Sequence, residues 1–133
     1  MKYIKLFEDL FEDNLQDFCD TYLAYLKDEG FNIYINPMGN RTEITIYLRD
    51  FRYGGNPFEW DNVKDHIIPF LEMLRKNYNT NDEVIFYTKS KLHRTKIPFS
   101  KQNIQSVVDD TLLEVRTSID FKNIIKIILN ILN

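Results

Sequence analysis

Apolar residues at three-, four- and five-residue steps run from Leu6 through Leu10, Leu15, Phe18 and Tyr22 to Leu26, with Phe7, Phe11, Cys19 and Leu23 widening the stripe. That spacing predicts a helix over residues 6–28. The tetrad Leu-Phe-Glu-Asp occurs twice in tandem, at 6–9 and 10–13, and stacks like on like along one helix face. Gly30 stands where a helix C-cap belongs. The period then changes from helical to alternating. Phe31, Ile33 and Ile35 alternate with Asn32 and Tyr34, and Thr42, Ile44, Ile46 and Leu48 alternate with Glu43, Thr45, Tyr47 and Arg49. Two strands, 31–35 and 42–49, are predicted to form a hairpin. Pro37 and Gly39 in the intervening Asn36-Pro37-Met38-Gly39-Asn40 fit a type I turn.

Residues 50–60, with Gly54-Gly55 and Asn56-Pro57, read as a loop. A helix over 61–78 follows, with Val63, Ile67, Phe70, Leu71, Leu74 and Tyr78 on one face. Pro69 lies inside it, so the pattern predicts a kink there or a regular helix that begins near His66. Residues 83–88 read as a strand, and 94–97 as a short strand ended by Pro98. Ser100 suits the N-cap of a helix over 101–109. Alternation of Leu113, Val115, Thr117 and Ile119 with Glu114, Arg116 and Ser118 predicts another strand, although one helix over 101–116 competes with it. Asp120 caps a last helix at 121–132. The order α-β-β-α-β-(β)-α-β-α predicts an α+β fold in one domain. Its sheet would be antiparallel or mixed, with four or five strands and helices mainly on one face. The outward strand positions would then include Tyr34, Thr45, Tyr47, Ile85 and Tyr87. That face is semi-polar and aromatic, and it predicts a protein contact surface, in a homodimer or with another partner.

Composition narrows the class. The chain has 133 residues, 44% hydrophobic and 28% charged, with a formal net charge of −3. One domain of this size can bury a core without metal or disulfides, and the balance excludes disorder for most of the chain. The single cysteine excludes an internal disulfide and a cysteine-based zinc cage. Lysines interrupt the C-terminal apolar run, so no membrane-spanning helix and no membrane partner are expected. Met1 to Lys5 lead into an acidic amphipathic stretch without an apolar signal core, which predicts a cytoplasmic protein. Ile, Asn and Lys make up 40 residues and Ala only one, a usage that points to an AT-rich genome.

Charge is polarised along the chain. Residues 1–30 hold eight acids against three lysines, whereas 89–101 hold Lys89, Lys91, Arg94, Lys96 and Lys101 with no acid. The basic segment has two readings: a contact to phosphates or an acidic protein surface, or a solvated hairpin whose lysines discourage strand aggregation. The acidic stripe Asp9, Asp13, Asp17 and Asp20 reads as a solvated helix face rather than a cation site. His66 and His93 lack partners at metal-ligand spacing. Cys19 reads as a small core residue rather than a nucleophile. The two-glycine loop has no phosphate-loop pattern. Its neighbours Arg52, Tyr53, Phe58 and Trp60 form either a partner-contact patch, since Arg and Trp are typical interface anchors, or, for Phe58 and Trp60, part of the core under the second helix. No catalytic residue, metal site or cofactor is therefore expected.

The opening Met1-Lys2-Tyr3-Ile4-Lys5-Leu6-Phe7-Glu8-Asp9 resembles the start of small proteins encoded by large tailed bacteriophages. The likeness extends through Gly30-Phe31, the Ile-rich second strand and the aromatic stretch from Phe58 to Tyr78, over roughly residues 1–80. It implies a phage setting in the host cytoplasm, or in the virion, and assigns no catalytic residue. Together these features predict a non-enzymatic protein-interaction module, an accessory or minor virion protein. Nucleic-acid binding through residues 89–101 is the alternative.

Overall fold

A computed structural model describes residues 13–39, 41–48, 57–78, 83–88, 92–97, 99, 104 and 111–120. Residues 13–22 form helix α1, followed by α2 (Ala24–Asp28) and α3 (Trp60–Tyr78). The strands are β1 (Phe31–Met38), β2 (Arg41–Leu48), β3 (Phe58–Glu59), β4 (Glu83–Thr88), β5 (Leu92–Lys96) and β6 (Thr111–Asp120). All pairs among the described strands are antiparallel, and their order across the sheet is β1-β2-β6-β4-β5. The short β3 adds a sixth strand, pairing Phe58 with Leu112 and Glu59 with Thr111. Helices packed on an antiparallel sheet make the fold α+β, as the alternation of periods predicts.

Helix α1 yields to α2 at Leu23, whose backbone leaves helical geometry at φ −111° and ψ 18°. The i→i−4 ladder persists through this point, from Leu23 N to Cys19 O at 2.9 Å and from Lys27 N to Leu23 O at 3.0 Å. Just before it, the Thr21 hydroxyl donates to the Asp17 carbonyl at 2.8 Å, a back-bond that bends helices. Gly30 ends α2 as expected. Its φ of 98° is open to glycine, and its N–H donates to the Lys27 carbonyl at 3.1 Å.

The first turn is tighter than its sequence pattern implies. Strand β1 continues through Pro37 to Met38, which pairs with Arg41, leaving Gly39 and Asn40 as the connection. Gly39 has φ +56°, the sign that two-residue hairpin turns demand. Pro37 is tolerated because β1 is an edge strand of the sheet. Helix α3 is continuous from Trp60 to Tyr78 with Pro69 inside, so it does not begin near His66. Asp65 and Pro69 are both exposed, which leaves the carbonyl that loses its partner in reach of water. Residues 58–60, expected in a loop, instead enter β3 and α3 because Phe58 and Trp60 are drawn into the core. Residues 111–116 belong to β6, which excludes a helix over 101–116. Ile104 is helical, but the rest of the helix expected at 101–109, the helix at 121–132 and residues 6–12 lie outside the described residues.

Alternation gives each strand two faces. On the near face, Phe31, Ile44, Ile46, Val84, Phe86, Val115 and Ile119 join Leu15, Cys19 and Leu23 of the first helical segment and Ile67, Phe70, Leu71 and Leu74 of α3 in one core. Aromatic contacts join α3 to the sheet and to α1. Trp60 meets Phe86 at 5.0 Å between centroids, and Phe18 meets Phe70 at 5.9 Å and Tyr78 at 5.3 Å.

Candidate interaction surface

The far face is built by the alternate residues of the same strands, and the register sets them in rows. One row runs Asn32, Tyr47, Glu114, Tyr87, Leu92, and the next runs Tyr34, Thr45, Arg116, Ile85, Arg94. A third row pairs Asn36 with Glu43 and Glu43 with Ser118, while Glu83 pairs with Lys96. Arg41 stands between Met38 and Asp120 in the last. All five outward positions expected from the sequence, Tyr34, Thr45, Tyr47, Ile85 and Tyr87, share this face. The expectation that it is aromatic rather than charged needs correction: its centre is ionic.

Arg116 is the hub. Its Nη2 donates to Glu114 Oε2 at 2.6 Å, and its Nη1 lies 3.6 Å from Glu43 Oε2. Its guanidinium carbon is 5.0 Å from the centre of the Tyr87 ring, a cation–π distance. Glu43 is shared with Arg41 at 3.1 Å, and Arg94 donates to Glu83 at 2.7 Å. Glu43 and Glu114 are each only 8% exposed. Carboxylates so covered are tolerated when cations stay beside them. Among the described residues, the four cations Arg41, Arg94, Arg116 and Lys96 face the four carboxylates Glu43, Glu83, Glu114 and Asp120. Around this balanced centre, Tyr34 (54%) and Met38 (44%) stand exposed on β1, and Leu92 (42%) on β5. A depression of about 410 Å³ lies between Tyr34, Tyr47, Glu114 and Arg116.

The other residues singled out in the sequence fall elsewhere. Phe58 and Trp60 are buried, 7% and 1% exposed, so they belong to the core and not to a surface patch. Their placement follows from the β3–β6 pairing and the Trp60–Phe86 contact. Arg52 and Tyr53 lie outside the described residues, as do Lys89, Lys91 and Lys101. Arg94 and Lys96 are exposed and share the far face. His66 stacks on Tyr25 at 4.2 Å and 12°, away from the ionic centre. Cys19 is fully buried, and that burial pushes its thiol up to about 12, which leaves it uncharged and unreactive. Burial, and then the neighbouring Cys19, raises Tyr78 as well. Asp13 and Asp17 are exposed, while Asp20 accepts from Lys27 at 2.6 Å and Gln16 at 2.9 Å. Lys27 chiefly holds the Asp20 carboxyl below its usual range. Asp9 lies outside the described residues.

Among the described residues no three or more His, Cys, Asp or Glu side chains are grouped to hold a metal ion. No helix among them is long and apolar enough to cross a membrane. Sequence reasoning passed over Glu43, Glu114 and Arg116 as members of one site. The signal was present in their outward parity on β2 and β6, but only the pairing of those two strands brings them together. No family model, curated protein or solved structure matches the chain.

Proposed function

We propose that the chain is a non-enzymatic protein-interaction module that docks its partner on the far face of the sheet. The observation that carries this reading is the arrangement of exposed Tyr34, Met38 and Leu92 around a balanced ionic centre. Apolar anchors supply affinity by leaving water, while fixed ion pairs set the register of what binds. The resemblance of the opening peptide to phage-encoded proteins supports reading the chain as an accessory or minor virion component that acts in the host cytoplasm, on a host or phage protein. The test is affinity capture from infected cells with the tagged protein. Tyr34→Asp and Met38→Asp should each release the captured partner while leaving the melting temperature near wild type. Retention of the same partner by both variants would sink the assignment.

A second reading, nucleic-acid binding through Lys89, Lys91, Arg94, Lys96 and Lys101, draws support from the shared exposed face of Arg94 and Lys96. It requires a gel shift that weakens steeply as salt rises. Absence of a shift at low salt removes it.

A further inference from the structure

In the row that holds Glu43, the shortest side chain is Ser118, and there the far face dips. The resulting pit has a volume of about 170 Å³, and Ser118, Glu43, Glu83, Arg41, Arg94 and Arg116 are among the residues that line it. Three properties of this pit define what fits it. The first is hydrogen bonding. Each guanidinium offers five N–H donors, whereas among the described residues the ion pairs with Glu43, Glu83 and Glu114 engage only a few of them. Arg116 Nε is buried and meets no acceptor among the described residues. A donor-rich lining calls for a group that only accepts.

The second property is charge. Three guanidiniums face two carboxylates in the lining, and Arg116 is also held by Glu114 at 2.6 Å, so the pit keeps at most a slight positive bias within the balanced centre. That suits a monoanion better than a phosphate monoester, which carries roughly −1.5 to −2 at neutral pH. Glu114 and Asp120 lie on the same face, so the successive phosphates of a nucleic acid would meet carboxylates beside the pit. The third property is size. Pockets for whole small molecules start near about 300 Å³, so this pit has room for one functional group rather than a cofactor.

We propose that the pit binds a single carboxylate, presented by an acidic side chain of the protein that docks on the far face. This rests on the reading of that face as a contact surface. A partner carboxylate would lie against Arg94 and Arg116 and take up donors that the protein's own glutamates leave over, a charge-assisted contact stronger than a neutral one.

The probe is N-acetylglutamate amide, a lone glutamate side chain, compared with inorganic phosphate and single-stranded DNA at matched ionic strength. The readout is the arginine Nε–Hε region of the nitrogen–proton correlation spectrum. Acetylglutamate amide should shift the Arg116 resonance saturably, and more tightly than phosphate does. Ser118→Leu fills the pit yet keeps every charge, and it should abolish the response. Arg94→Gln, on an exposed edge strand, should weaken it roughly tenfold, as loss of one hydrogen bond to a charged group implies. No saturable shift, an undiminished shift in Ser118→Leu, or stronger binding of phosphate or DNA would overturn the proposal. Capture of the cellular partner separates the two levels. If Tyr34→Asp loses the partner but the spectra show no carboxylate binding, the contact surface stands and the pit assignment fails. If carboxylate binds but Tyr34→Asp keeps the partner, the docking reading fails and the pit serves free carboxylates instead.

Discussion

The two faces of one sheet bury their residues by different physics. Phe31 on the near face and Glu43 on the far face are almost equally covered, 9% and 8% exposed. Phe31 is covered by apolar neighbours, including the edge of Phe58 at 5.0 Å. Contacts of that kind are non-directional and scale with the area removed from water. Glu43 lies between two guanidiniums at 3.1 and 3.6 Å. Its coverage depends on distance, orientation and charge, so it fails when one partner goes. The near face is thus organised to hold the domain together, and the far face to keep a defined charge pattern in place at its surface.

The largest way to break this contrast is in the near-face core. Phe70→Ala should cost about 3–5 kcal/mol, because it opens a cavity between α1 and α3. Urea unfolding gives the value, and a loss below 1 kcal/mol would mean that the core closes over the gap. On the far face, Arg116→Met strands Glu114 and leaves Glu43 with Arg41 alone, and it should cost about 1–3 kcal/mol. The contrast sharpens if Glu43→Leu and Glu114→Leu are then added. Replacing a whole covered ion network by apolar residues is often neutral or stabilising, so the triple variant should recover most of the loss. Failure to recover would show that the network contributes through geometry an apolar cluster cannot copy.

A smaller effect belongs to the Asp20–Lys27 pair, which is exposed at 40% and 43% of the two side chains. The folded-state carboxyl is lowered, so its contribution is present at neutral pH. It is lost as pH falls from the unfolded value near 3.8 through the lower folded one. Asp20→Asn should therefore be less stable than wild type by no more than about 1 kcal/mol at pH 7, and the two should converge in acid. Thermal melts across that range measure it. Smallest of all, Tyr34→Asp should change stability by about 0.5 kcal/mol or less, since the ring is exposed on an edge strand. A greater loss would place Tyr34 with the structural residues rather than with the contact surface.

Local pattern carried most of the fold. Alternation around Ile44 and Ile46 located β2, Val115 and Ile119 located β6, and the helical stripe from Val63 to Tyr78 located α3. Gly30 was legible because its left-handed cap is a backbone demand that few other residues meet. The misses share one cause. Strand β3 is two residues long and has no period to read. Phe58 and Trp60 sit among glycines and prolines that signal a loop, yet they are drawn into the core by partners at Leu112 and Phe86. The ionic centre is the same problem at the level of a site. Glu43 and Arg116 lie far apart in sequence, and either one alone is an ordinary polar residue on a strand.

Strand β6 occupies the middle of the sheet although it follows every other described strand in the chain. The hairpins β1–β2 and β4–β5 can each form from neighbouring residues, but neither touches the other until residues 111–120 arrive between them. Both hairpins would wait with a bare inner edge during synthesis. Such long-range pairing raises contact order and slows folding, and waiting edges invite pairing with the wrong chain. A chain stopped before residue 111 would have two hairpins and no strand to join them into one sheet.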